Sequence, residues 1–135
     1  MTPVPDQVRD FARRYTEAWC SQDPASVAEN YAPEGSLTIN DGPPSVGRAA
    51  ITEAARSFMD ALPDMRVEMD DLVAKDGGAE YHWTCTGTNT GPGGTGNRVR
   101  FSGYEEWTIG DDGLIAASLG HFDEAEYAHQ LAHGV

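Results

Sequence analysis

A glutamate set in the middle of an apolar strand face is the first chemical feature of this chain. Between residues 99 and 109, Val99, Phe101, Gly103, Glu105, Trp107 and Ile109 alternate with Arg100, Ser102, Tyr104, Glu106 and Thr108, so one face is apolar except for Glu105. If that face packs under helices, the carboxyl loses water and its pKa rises unless donors compensate. A carboxyl poised in a cavity can give or take a proton near neutral pH. If the strand is twisted or lies at a sheet edge, the same side chain reaches water or a surface arginine instead.

Tyr15 is the second candidate. It belongs to an apolar stripe with Val8, Phe11, Ala12 and Trp19, and a buried phenol needs a partner for its hydroxyl. Core packing alone also accounts for it. His121 and Asp123 could form a proton relay, although Asp123 reads better as a helix cap. His82 shares the polar face of its strand with Glu80, Thr84 and Thr86. His129 and His133 have the spacing of two zinc ligands without a third, so no metal is expected. The loop from Gly91 to Gly96 matches G-x-G-x-x-G but leads into a strand, not a helix, so it is a hairpin connection and no cofactor is expected. Cys20 and Cys85 read as buried apolar thiols.

The elements that must position these groups follow from periodicity. Residues 8–19 form a first helix, and Asp23 with Pro24 opens a second that runs through Tyr31 to the break at 33–35. A short strand at 36–40 and a loop lead to a third helix, with Ile51, Ala54, Ala55, Phe58, Met59 and Leu62 on one side and Pro63 as its stop. Period-two stretches at 65–74, 79–88, 99–109 and 114–122 read as strands joined by Gly-rich turns, and a helix at 124–131 closes the chain. Helices followed by an antiparallel meander make an α+β domain with helices on one face of a curved sheet. In the last strand either Ser118, Gly120 and Phe122 point inward, or Ile115, Ala117 and Leu119 do, together with His121.

At 135 residues the chain makes one domain, residues 1–135. Its formal charge of -13, from 22 acidic against nine basic residues, repels phosphate backbones and anionic headgroups. Nucleic acid and membrane are therefore not expected as partners. No apolar run approaches a membrane span and no signal-peptide pattern opens the chain, which points to the cytoplasm.

Five segments resemble successive signatures of SnoaL-like proteins, within the nuclear-transport-factor-2-like superfamily, and cover nearly the whole chain in order: the stretch from Tyr15 to Asp23, Tyr31-Ala32-Pro33, Val46 to Ile51, Gly87 to Gly91, and Gly103 to Ile109 with Asp111-Asp112-Gly113 after it. The resemblance implies a cone-shaped α+β fold in which helices cover the concave face of a mainly antiparallel sheet and enclose a pocket. It also implies that Ser118, Gly120 and Phe122 face inward. Ketosteroid isomerases of this superfamily carry their oxyanion-hole acid and tyrosine at places matching Glu105 and Tyr15, so these two are the expected catalytic residues, aimed at one substrate oxygen. Trp19, Phe58 and Trp107 are expected beside them as substrate-binding residues, together with Ser118, Gly120 and Phe122.

The isomerase base would fall at Ile39 or Asn40, where no carboxylate stands. The superfamily's epoxide hydrolases need an acid where this chain has Gly120, and an Arg-x-Asp pair that no strand supplies. Both of those activities are disfavoured. The expectation is a cofactor-independent enzyme of isomerase or cyclase type acting on an apolar carbonyl compound. The alternative is a non-catalytic module for an apolar ligand or a partner domain. Aromatic groups on both strand faces, with the habit of related domains to pair by their sheets, lead to an expected homodimer through the outer sheet face.

Overall fold

The computed structural model describes residues 5–135. The first helix, α1 (Asp6–Cys20), buries Phe11, Ala12, Tyr15 and Ala18 along one stripe. The second, α2 (Pro24–Ala28), begins where the Asp23 side chain accepts a hydrogen bond from the Ala25 N–H, with Pro24 in the first turn. It is shorter than the sequence pattern predicts. The Asn30 side chain folds back onto the carbonyls of Ser26 and Val27 at 3.0 and 3.4 Å and closes the last turn. Tyr31 therefore opens a strand and does not end a helix.

That strand, β1 (Tyr31–Ile39), shifts register between Tyr31 and Ser36. Gly35 sits in the irregular stretch because a Cβ there would lie 2.7 Å from the Ile115 carbonyl oxygen. A two-residue strand, β2 (Ser45–Val46), pairs with β1 inside the stretch expected to be only a loop. The third helix, α3 (Arg48–Ala61), precedes four long strands: β3 (Arg66–Lys75), β4 (Gly78–Thr88), β5 (Arg98–Ile109) and β6 (Ile115–Phe122). Finally α4 (Glu124–His133) is capped by the Asp123 side chain, which accepts from the Glu126 N–H.

The strands form one open, mixed sheet in the order β2-β1-β6-β5-β4-β3. Every neighbouring pair is antiparallel except β1 with β6. The helices cover the inner face, and between them lies one apolar core running from Phe11 and Tyr15 to Trp107 and Ile115. In β3 the register shifts between Met69 and Asp71. That extra residue turns Leu72 inward, although it is out of step with Val67 and Met69. The architecture is the α+β, NTF2-like one that the motifs imply.

Candidate functional site

Strand register decides what surrounds Glu105. On β5 it stands between Tyr81 of β4 and Gly120 of β6, while Trp107 pairs with Ser118 one step along the same face. Its side chain is buried, 7% exposed. No lysine, arginine or histidine pairs with it among the described residues.

Neutral donors converge on it instead. Oε1 accepts from the Ser118 hydroxyl at 2.7 Å, the Trp107 indole N–H at 3.0 Å and the Tyr15 hydroxyl at 2.9 Å. Tyr15 also lies 3.1 Å from Oε2. The Tyr31 hydroxyl sits 2.8 Å from that of Tyr15 and 3.5 Å from Oε1. A phenol has one proton, so the arrangement that satisfies every group is a chain in which Tyr31 donates to Tyr15 and Tyr15 donates to the carboxyl. Oε1 is crowded with donors; among the described residues, Oε2 has one hydrogen-bond partner, the Tyr15 hydroxyl it shares with Oε1.

Burial raises the Glu105 pKa above the ordinary carboxyl value, and the donors from Ser118, Trp107, Tyr15 and Tyr31 pull it part of the way back. The phenols of Tyr15 and Tyr31 are pushed well above their usual range, chiefly by burial and then by the facing carboxyl. They remain protonated and act as donors.

Beside Glu105 opens a cavity of about 70 Å³. Six aromatic rings line it, from Trp19, Phe58, Tyr81, Trp83, Phe101 and Phe122, with Leu37, Ile39, Met65, Val67, Cys85 and Gly120 between them. Glu105 is its one acid. The Tyr81 hydroxyl is engaged with Thr16, and burial pushes the Cys85 thiol up to about 12, so neither competes as a proton donor near neutrality. Gly120 leaves space next to the carboxyl: a Cβ there would lie 3.6 Å from the Thr38 carbonyl oxygen and 3.8 Å from Glu105 Cγ.

Of the residues expected at the site, Trp19, Phe58, Glu105, Gly120 and Phe122 lie on the cavity wall. Tyr15, Trp107 and Ser118 do not. They stand behind Glu105 and hold it, because their polar atoms point at its carboxyl and Trp107 is sandwiched by Tyr81 at 4.8 Å and Phe11 at 5.5 Å. Tyr15 is thus aimed at Glu105 and not at a shared substrate oxygen. Of the two orientations left open for β6, the one with Ser118, Gly120 and Phe122 inward is present and Leu119 is exposed, but Ile115 is also buried, because the register against β5 shifts between Thr108 and Ile109.

Tyr31 is missing from the expected site residues because the sequence pattern puts it at the end of a helix; the Asn30 side chain, able to cap the preceding turn, is the signal that it opens a strand. Trp83 and Phe101 alternate correctly on inner strand faces and could have been found from periodicity alone. At the wall where the isomerase base would stand, Ile39 lines the cavity, while Asn40 bonds to Glu124 and to the Phe122 N–H. His121 pairs with Glu106 at 2.7 Å, not with Asp123, and His82 pairs with Glu80 at 2.8 Å. Among the described residues no three histidine, cysteine or acidic side chains gather as a metal site.

Comparison with known proteins places this geometry. The SnoaL-like domain matches residues 12–118. No curated protein matches the chain in sequence. Among solved structures, a provisionally named SnoaL-like polyketide cyclase from Jannaschia sp. CCS1 superposes with a TM-score of 0.85 at 16% identity, covering 100% of this chain and 98% of that one. TsrD from Streptomyces laurentii gives 0.81 at 23% identity over 96% and 98% of the two chains. A protein from Catenulispora acidiphila DSM 44928 with a ketosteroid isomerase-like fold, in complex with trimethylamine, gives 0.79 at 11% identity over 91% and 92%. The match across most of the chain, with the fold shared by these structures, shows that the protein belongs to the SnoaL-like domain family of the NTF2-like superfamily.

Proposed function

We propose that the protein is a cofactor-independent acid–base enzyme of the isomerase or cyclase kind, acting on a small, largely apolar carbonyl compound bound in the cavity. The observation that carries this reading is the position of Glu105, the one acid of an aromatic-walled cavity, with Oε1 saturated by donors and Oε2 nearly unengaged. In its protonated form Oε2 can donate to a carbonyl oxygen, polarising it. In its ionised form the same oxygen can take a proton from the adjacent carbon. Tyr15, Tyr31, Trp107 and Ser118 hold the carboxyl in place without touching the substrate.

Exchange of carbon-bound hydrogen for deuterium in a panel of apolar ketones tests the reading. Wild type should accelerate exchange and Glu105→Gln should not. Equal rates would remove the catalytic role.

A non-catalytic ligand pocket is favoured by a different observation: among the described residues lining the cavity, no second charged side chain accompanies Glu105. Under that reading the ligand binds and leaves unchanged. The trimethylamine complex of the Catenulispora protein adds small amines to the classes to be tested here.

We also propose a homodimer through the outer sheet face. There Tyr104 stacks between His82 and His121 at 5.3 and 4.7 Å, and Leu119 is 47% exposed. Sedimentation that gives only the 14.5 kDa species at micromolar concentration would refute it.

A further inference from the structure

The ionised form of the cavity presents an unbalanced charge. Glu105 as a carboxylate would carry a negative charge among six aromatic rings, and no cationic side chain of the described residues reaches it. The donors on Oε1 stabilise that charge but do not neutralise it, because each is a neutral O–H or N–H. With the cavity empty, burial favours the protonated acid; an entering cation would supply the counter-charge that the carboxylate lacks.

Aromatic rings attract cations through their negative faces, most strongly where water is excluded. Metal ions are a poor fit, since no cluster of ligating side chains is present among the described residues. Anions meet only a like charge. A primary ammonium brings three N–H donors that each need an acceptor, whereas the cavity lining is apolar and aromatic apart from Glu105. Tertiary ammonium ions, with one N–H, and quaternary ones, with none, match that supply and present apolar groups to the rings.

We propose that the cavity is a site for small tertiary and quaternary ammonium ions, held by the Glu105 carboxylate and an aromatic cage formed by Trp19, Phe58, Tyr81, Trp83, Phe101 and Phe122. This rests on the reading of the cavity as the ligand site and not on turnover there. A carbonyl ligand selects the protonated carboxyl and an ammonium ion selects the carboxylate, so the two ligand classes have opposite pH dependence. The protein's charge of -13 also raises the local concentration of cations.

The other titratable groups facing Glu105 are Tyr15 from α1, Tyr31 from β1, and Tyr81 and Cys85 from β4, all kept neutral by burial. Glu105 is therefore the group that sets the pH profile. Affinity for a permanent cation should rise about tenfold per pH unit below the carboxyl's pKa and level off above it.

The test uses tetramethylammonium chloride and, as a neutral probe of similar shape, 3,3-dimethylbutan-1-ol, titrated into the full chain at fixed ionic strength. Fluorescence of Trp19 and Trp83 reports occupancy, from about pH 4 to pH 8. Wild type should bind the cation with the stated profile. Glu105→Gln should bind it at least about tenfold more weakly and without pH dependence, while still binding the alcohol. Equal cation affinity in both proteins overturns the proposal, as does binding of the alcohol alone; in either case the cavity reading survives. If neither probe binds, that reading falls and the proposal with it.

Discussion

The Tyr31 hydroxyl lies 2.8 Å from that of Tyr15, which in turn spans both oxygens of Glu105 at 2.9 and 3.1 Å, so two phenols from α1 and β1 act in series on one carboxyl. The order of the chain makes their removal unequal. Tyr15→Phe takes a donor from the carboxyl and leaves Tyr31 only its long 3.5 Å contact with Oε1, whereas Tyr31→Phe removes only the outer member. Chemical denaturation should show Tyr15→Phe destabilised by about 2–4 kcal/mol and Tyr31→Phe by about 1 kcal/mol. Equal losses would mean that the phenols are not in series.

Glu105 should make stability depend on pH in a defined direction. Its folded pKa is raised, so the folded protein keeps a proton that the unfolded chain has released. Stability from this group is present below the unfolded value near 4.3, falls as pH rises towards the folded pKa, and is level above it. Glu105→Gln keeps the shape and removes the charge. Thermal melts should show the variant gaining on wild type across that window, and parallel profiles would contradict it.

Replacing Glu105 by leucine is a different experiment. The hydroxyls of Tyr15 and Ser118 and the indole N–H of Trp107 would face an apolar group. Each stranded donor costs roughly 1–3 kcal/mol, so Glu105→Leu should be far less stable than Glu105→Gln in urea titrations.

Two glycines on the inner sheet face should behave in opposite ways. A Cβ at Gly103 would collide with the His121 carbonyl oxygen and lie 2.7 Å from Trp83 Cζ2, against backbone and a packed ring. Gly103→Ala should therefore lose about 1–3 kcal/mol or more. At Gly120 the contacts are ordinary, so Gly120→Ala should fold with a change below about 1 kcal/mol, while Gly120→Leu fills the space beside Glu105 and should abolish ligand binding with the fold retained.

Strict alternation in β5 is the reason Glu105 could be found from sequence. Period two assigns each side chain to a face once one residue is assigned, and that strand has no bulge between residues 98 and 108. The same rule placed β4. It fails where an extra residue intervenes, as at the register shifts of β1 and β3, and these depend on which strand lies alongside. Whether Trp107 and Ser118 touch a ligand or brace Glu105 was illegible for another reason. Both readings put the residue on the inner face, and only the helix carrying Tyr15 decides how deep each one lies.

The parallel pairing of β1 with β6 brings Leu37 beside Ser118 and Ile39 beside Gly120. Most other strand contacts join segments linked by short turns, but this one closes a loop of about eighty residues, an entropic cost that is met before the contact stabilises anything. β4 and β5 can meet early, yet the wall that completes the cavity waits for the two ends of the domain to find each other. During refolding, Trp83 should therefore be buried by its neighbouring strand before the molecule acquires any affinity for a ligand.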